Sequence, residues 1–414
     1  MKEKEFNIHQ YPNGITLLHK QVTYSRMAHC GFITDIGSRD ETISNQGIAH
    51  FWEHMAFKGT EKRNANQIIS SLENVGGDLN AYTTKEKIWF HASLPSEKLS
   101  VAVDVLTDIT FRSVFPKKEI DKEIRVVLEE MMMYRDSPED NIQDEFEQQL
   151  YPNHSLGYNI LGTEKTVSRF NQSQLTKYIH KELDTRTVAF SVVGPQSFED
   201  VRRICDPILK SIPASFHKKN RTPFKKYKVS HIQKEMPLNQ VHCMVGGIGM
   251  SLYHKQRIHF HLLANLLAGP GMSSLLNMAL REKKGYVYTI DSNFNAYQDT
   301  GMFNFYFATD PGHFDKAYQL FEKEMKRVQE KKISSVQLHR LKEQVKGQLY
   351  MAEENNLSVM QMMGKSWLDY GKIDSLDKVI EKIEKTEAKH LMTLANDWMS
   401  LDTLSSLKYI PSND

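Results

Sequence analysis

HCGFITDIG (29–37) and HCMVGGIGM (242–250) read as one strand written twice, and this pair decides the fold. Each is followed by a similar helical pattern, IAHFWEHMAFKG (48–59) and IHFHLLANLLAG (258–269), so the chain repeats itself after roughly 210 residues. Gly285 answers Gly77, each ahead of a strand-like segment, and a helical stretch near 334–351 answers one near 117–134. At 414 residues the chain exceeds what a single hydrophobic core usually organises. The fold expected is α+β: two duplicated α/β domains of similar fold, each a mostly antiparallel sheet packed with helices.

Local signals agree with that plan. FNIHQYPNGITLLHKQV has a Pro12-Asn13-Gly14 turn between two apolar stretches and predicts a hairpin. NQIISSLENVGG reads as a helix stopped by paired glycines, and NAYTTKEKIWFHASL as two strands. Helices are predicted near 96–112 and 117–134, with Pro116 where a first-turn proline is tolerated. The texture changes at IPASFHKKNRTPFKKYK (212–228), which is basic, contains two prolines and has no sustained periodicity. The expected domains are therefore 1–212 and 229–414, joined by a linker at 213–228 whose lysines form a solvated connector.

Composition narrows the function. Hydrophobic residues make up 40% and charged residues 25%, with a formal charge of +2, which fits a soluble globular chain and implies no nucleic-acid surface. Cys30, Cys205 and Cys243 are far apart and form no CxxC pair, so neither a disulfide framework nor a cysteine metal site is signalled. The opening MKEKEFNIHQ lacks the apolar core of a secretory signal, and no run approaches the ~20 apolar residues of a membrane span. A cytoplasmic protein with no membrane partner is expected.

The two copies differ in chemistry. His50 and His54 are four apart on a predicted helix, so their imidazoles share one face, and Glu53 shares it too. Two such nitrogens can reach a single zinc ion, while Ile48, Trp52 and Met55 form the opposite apolar stripe. In the second copy those three polar places are taken by Phe260, Leu263 and Ala264. Catalytic zinc takes three protein ligands and leaves a position for water, so a third is needed. The helix PKKEIDKEIRVVLEEMMMYRDSPED supplies Glu123 and Glu130 on one line with Val127 between them, and spacing alone does not choose between the two. Glu129 points away, and Gln348 stands about where Glu130 stands in the other half.

Taken together, GIAHFWEHMAFKGT (47–60), GGDLNAYTTKE (76–86), VVLEEMMMYRDSPED (126–140), HSLGYNILGT (154–163) and GPGMSSLLNMALREKKGYVY (269–288) resemble the pitrilysin and insulinase family of zinc peptidases with the inverted HxxEH motif. Within it the chain is similar to the short, two-domain branch of mitochondrial processing peptidase type. The resemblance implies one zinc ion per chain, with Glu130 as the distal ligand beside His50 and His54. It implies Glu53 as catalytic base and Glu123 as a functional glutamate supporting the metal site. It also implies that Arg281 and Tyr288 of the second domain touch the substrate and assist catalysis. Asn80 and Ala81 match the family's substrate-binding edge strand, where an extended peptide pairs by its backbone. The activity so implied is that of a zinc endopeptidase hydrolysing unfolded peptides inside a dimeric chamber, each chain forming half of a clamshell. A homodimer is the expected assembly, a heterodimer with an inactive homologue being its alternative. The rival function is a non-catalytic structural or binding subunit of the same fold.

Overall fold

The computed structural model describes residues 5–412. Six strands form the first sheet: β1 (Asn7–Gln10), β2 (Thr16–Gln21), β3 (Met27–Thr34), β4 (Asp78–Thr83), β5 (Ile88–Pro95) and β6 (Val188–Gly194), in the order β1-β2-β6-β3-β5-β4. Five form the second: β7 (His231–Met236), β8 (Val241–Gly249), β9 (Val287–Ala296), β10 (Gly301–Thr309) and β11 (Ser405–Pro411), in the order β7-β11-β8-β10-β9. Each sheet is antiparallel except for one pair, β2 with β6 and β7 with β11, and that pair holds the same place in both orders. The duplication read from the sequence is thus present in the topology, with β1 added to the first copy.

Strand alternation gives each sheet two buried faces. In the first, Ala28, Cys30 and Phe32 of β3 and Phe90 and Ala92 of β5 face a core shared with the helices Ile48–Ala56, Ala65–Glu73 and Leu99–Phe111. In the second, Cys243, Val245, Phe303 and Phe305 face the helices Arg257–Ala268 and Phe314–Glu330. The three cysteines are free and buried.

The opposite faces are covered in an unexpected way. The chain divides into two compact units, and neither is contiguous in sequence. The first comprises the chain up to Met132, Tyr158–Arg221 and Met351–Ser375; the second comprises Met133–Gly157, Thr222–Tyr350 and the chain from Leu376 onward. The expected limits of 1–212 and 229–414 therefore differ from the compact units by two exchanged segments. The physical reason is a pair of amphipathic helices. Asn356–Tyr370 lays Val359, Met360 and Met363 on Leu18, Ile33, Trp89 and Val193 of the first sheet. Pro138–Leu150 lays Ile142, Phe146 and Leu150 against Met244, Tyr306, Leu407 and Tyr409 of the second. At Gly364 an added Cβ would come within 2.7 Å of Trp89 and 2.9 Å of Ile33, so glycine lets the helix sit directly on the strands.

The stretch 213–228 has no regular structure. Its basic residues are not all solvated, however, because the first unit presents buried carboxylates to them. Arg221 bonds Asp40 at 2.8 Å and Asp35 at 3.0 Å, and Lys219 lies 3.1 Å from Asp40. Among the described residues no helix is long and apolar enough to cross a membrane.

Candidate metal centre

The helix Ile48–Ala56 starts at Gly47, whose φ of 89° is left-handed and where a Cβ would meet the Leu161 carbonyl oxygen at 2.5 Å. Glycine offers no capping side chain. The Glu41 carboxyl takes over that task, accepting from the Gly47 and Ala49 N–H groups at 2.8 and 3.0 Å. Ile48, Trp52 and Met55 are fully buried and fix the helix rotation, turning His50, Glu53 and His54 to the other side.

The helix Lys117–Asp136 completes the arrangement. Its buried line runs through Ile120, Glu123, Val127 and Met131, with Glu130 half-buried at its margin and Glu129 exposed. His50 Nε2 and His54 Nε2 are 3.2 Å apart, and Glu130 Oε2 lies 3.8 and 3.5 Å from them. A tetrahedral zinc ion with ligands at about 2.0–2.1 Å needs them about 3.3 Å from one another. The three atoms therefore fit the expected ion, and they are the metal-capable group found among the described residues. The ambiguity between Glu123 and Glu130 resolves in distance: Glu123 accepts from His54 Nδ1 at 2.9 Å and from Lys58 Nζ at 2.8 Å, and so stands behind the histidine.

The electrostatics of the four groups differ. Burial acts to raise the Glu123 carboxyl, but the bonds from His54 and Lys58 outweigh it and hold the group below its ordinary value. As an ionised acceptor it takes the proton that His54 carries on Nδ1; burial acts to lower this imidazole, but Glu123, Glu130 and Glu53 outweigh it and hold the group above its ordinary value, so an ion binding at Nε2 would displace a proton there. Burial and the neighbouring His54 push His50 down to about 3, so this imidazole is neutral. Burial raises the Glu130 carboxyl, with His54 opposing and Glu123 reinforcing the shift.

Glu53 is half-buried on the same helix face and its carboxyl is raised by burial, which Thr83 and His54 oppose. Thr83 Oγ1 donates to Glu53 Oε2 at 2.6 Å. Thr83 ends β4, the edge strand of its sheet, whose pairing is to β5. Leu79, Ala81 and Thr83 share the face turned to the metal helix, and Leu79 and Ala81 pack on its core. Asn80 points to the other face, where its amide bonds Asp78 at 2.6 Å. Thr83 and Lys58 went unnoticed in the sequence. Thr83 follows Asn80 and Ala81 in NAYT, and Lys58 follows His54 by one helical turn, so the nearest signal was proximity to residues already singled out.

Arg281 and Tyr288 belong to the second unit. Arg281 lies in a π-helical turn, Asn277–Glu282, in which the Lys283 N–H reaches the Met278 carbonyl at 3.2 Å. Tyr288 is 71% exposed near the start of β9, an edge strand like β4. Phe260, Leu263 and Ala264 are buried, and in place of a metal cluster Asn265 donates to Gln348 at 3.1 Å, joining the equivalent two helices.

Comparison with known proteins follows the same division. Residues 16–164 match the family described as Insulinase (Peptidase family M16), and residues 169–345 match the Peptidase M16 inactive domain. The chain is 33% identical to the uncharacterized zinc protease YmxG of Bacillus subtilis, covering 94% of this chain and 95% of that one. It is 27% identical to the mitochondrial-processing peptidase subunit beta of Saccharomyces cerevisiae, over 93% and 87% of the two chains. A protease from Helicobacter pylori shares the fold, with a TM-score of 0.91 at 18% identity over 98% of this chain and 99% of that one.

Proposed function

We propose, from the premise that the chain belongs to the insulinase-type peptidase family M16, that it is a zinc-dependent endopeptidase acting on unfolded peptides. The observation that carries this reading is the convergence of His50, His54 and Glu130 with Glu53 on the same helix face. Zinc, when bound by those three residues, supplies a Lewis acid and a water of lowered pKa. Glu53 accepts the proton of the attacking water, and Thr83 occupies one of its carboxylate oxygens, which leaves Oε1 for the transfer. The same carboxyl then delivers the proton to the leaving amine nitrogen. Glu123 holds His54 in the tautomer that exposes Nε2, and Lys58 fixes Glu123.

The open edge of β4 suits an extended peptide, whose backbone can pair there without demanding a particular sequence. Ala81, on the metal-helix side, keeps that edge unobstructed, and Asn80 acts from the other face. Tyr288 and Arg281 act on the substrate, Tyr288 by hydrogen bonding the oxygen that gains charge in the transition state and Arg281 by holding a substrate carbonyl. A homodimer is the assembly in which we place the enzyme.

The test uses the purified full chain and a quenched, unstructured peptide. Hydrolysis is expected to disappear with a chelator and return with zinc, with one zinc ion per chain. Glu53→Gln is expected to keep the zinc and lose hydrolysis by roughly 10²- to 10⁴-fold. Zinc binding without hydrolysis in the wild type would instead favour a non-catalytic subunit. Solution mass tests the dimer.

A further inference from the structure

We propose that Thr83 is a positioning residue whose hydroxyl holds Glu53 away from the metal ligands and so keeps it a base. The inference rests on the zinc-peptidase reading and concerns which of four groups on one site are permitted to ligate. A glutamate is itself a good zinc ligand. Glu53 lies one residue from His54 and three from His50 on the same face, near enough to His54 and Glu130 to feel both charges. Its side chain has three rotatable bonds, of which the helix restricts the first and leaves the outer two to turn the carboxyl. Were it to do so, it would fill the position that water needs.

The restraint comes from outside the helix. Thr83 Oγ1 donates to Glu53 Oε2 at 2.6 Å, a charge-assisted length. The β-branched threonine is stiff at χ1, so the hydroxyl's place is set by the strand. The strand in turn is fixed by its ladder, in which Thr83 stands opposite Ile88 and Ala81 opposite Phe90. The ligands are thus carried by two helices, while the orientation of the base is carried by the strand that offers its open edge to peptide. A peptide paired along β4 would stiffen the element that aims the base.

Wild type, Thr83→Val, Thr83→Ser, Glu53→Gln and the double variant Thr83→Val/Glu53→Gln are compared as full chains. Zinc affinity is read by competition with a chromophoric chelator, and coordination number by the visible absorption of the cobalt(II)-loaded proteins. Thr83→Val is expected to lower kcat by roughly 10- to 100-fold at similar KM. It is also expected to bind zinc about tenfold more tightly, and its cobalt absorption to weaken as the Glu53 carboxylate takes the place of water through both its oxygens and raises the coordination number. Both metal effects vanish in the double variant, and Thr83→Ser stays close to wild type. Should the valine disturb the strand, seen as a lowered melting temperature, Thr83→Ala replaces it. Zinc affinity and cobalt spectrum equal to wild type in Thr83→Val, or a change that persists without Glu53, would overturn the assignment. A wild type that neither binds zinc nor cleaves peptide would overturn the peptidase reading itself.

Discussion

The helices Ile48–Ala56 and Arg257–Ala268 hold the same place in two copies of one fold, and they close the same gap by different chemistry. In the first unit two imidazoles and a carboxylate meet within 3.8 Å. In the second the gap is crossed by one neutral amide pair, Asn265 with Gln348, above a fully apolar Phe260 and Leu263. The difference extends to the interiors. Asp35, Arg39, Glu86, Lys87 and Asp369 are all buried in the first unit, whereas Glu147 is the only buried acid or base among the described residues of the second. A duplicated fold thus keeps its apolar frame in both copies, and the copy that carries polar groups inside is where chemistry is to be sought.

The strongest way to break this comparison is to turn the first helix into the second. His50→Phe, Glu53→Leu and His54→Ala together should remove metal and hydrolysis completely, while the zinc-free protein melts no lower than zinc-free wild type, because apolar side chains carry no desolvation cost in place of the buried polar cluster. Metal analysis and thermal unfolding decide it, and a variant that cannot fold would show that the frame is not shared.

The buried charges give the next effect. Arg221→Met leaves Asp40 with Lys219 alone and Asp35 with Lys219 and Lys87, and should cost about 3 kcal/mol in chemical denaturation. Burial acts to raise the carboxyls of Asp40 and Asp369, but Arg221 for one and Lys87 and Lys365 for the other hold them below the ordinary value. That stabilisation is present above the unfolded-state carboxyl pKa and is lost as pH falls through the lower folded values. Acid should therefore unprotect the amides of β3 and β5 before those of β8 and β10, as read by hydrogen exchange. Simultaneous loss would contradict it.

A smaller change sharpens the metal side. Glu123→Gln weakens the hold on His54 and should reduce zinc affinity by roughly 10- to 100-fold with the fold intact. The smallest effect belongs to the second unit: Asn265→Ala removes the amide bridge and should cost about 1 kcal/mol, leaving zinc content and hydrolysis at wild-type levels.

Much of this was legible in residues. The hairpin about Pro12-Asn13-Gly14, the strand at 27–36 and the histidine helix came from local periodicity and turn chemistry, which act within a few residues. Glu130 required the family resemblance, because Glu123 shares its helical line and only the distance to His54 separates their tasks. Thr83 and Lys58 escaped because each matters through a partner on another element. The exchanged helices escaped for a related reason: the apolar side of Asn356–Tyr370 announces that something covers it and does not say which sheet. Arg221 was passed over as part of a solvated linker because its carboxylate partners lie more than a hundred residues away.

That exchange sets a clock on synthesis. A ribosome that has finished β6 at Gly194 has released every strand of the first sheet, yet the helix that covers Leu18, Ile33, Trp89 and Val193 ends at Tyr370. At the usual pace of translation the nascent sheet waits about 10 to 35 s with that hydrocarbon surface bare. During the wait the duplicate helix Pro138–Leu150 has already been made, with its own apolar side and no second sheet yet to cover. The nascent chain therefore carries an apolar helix without its sheet beside a sheet without its helix until the second half is made.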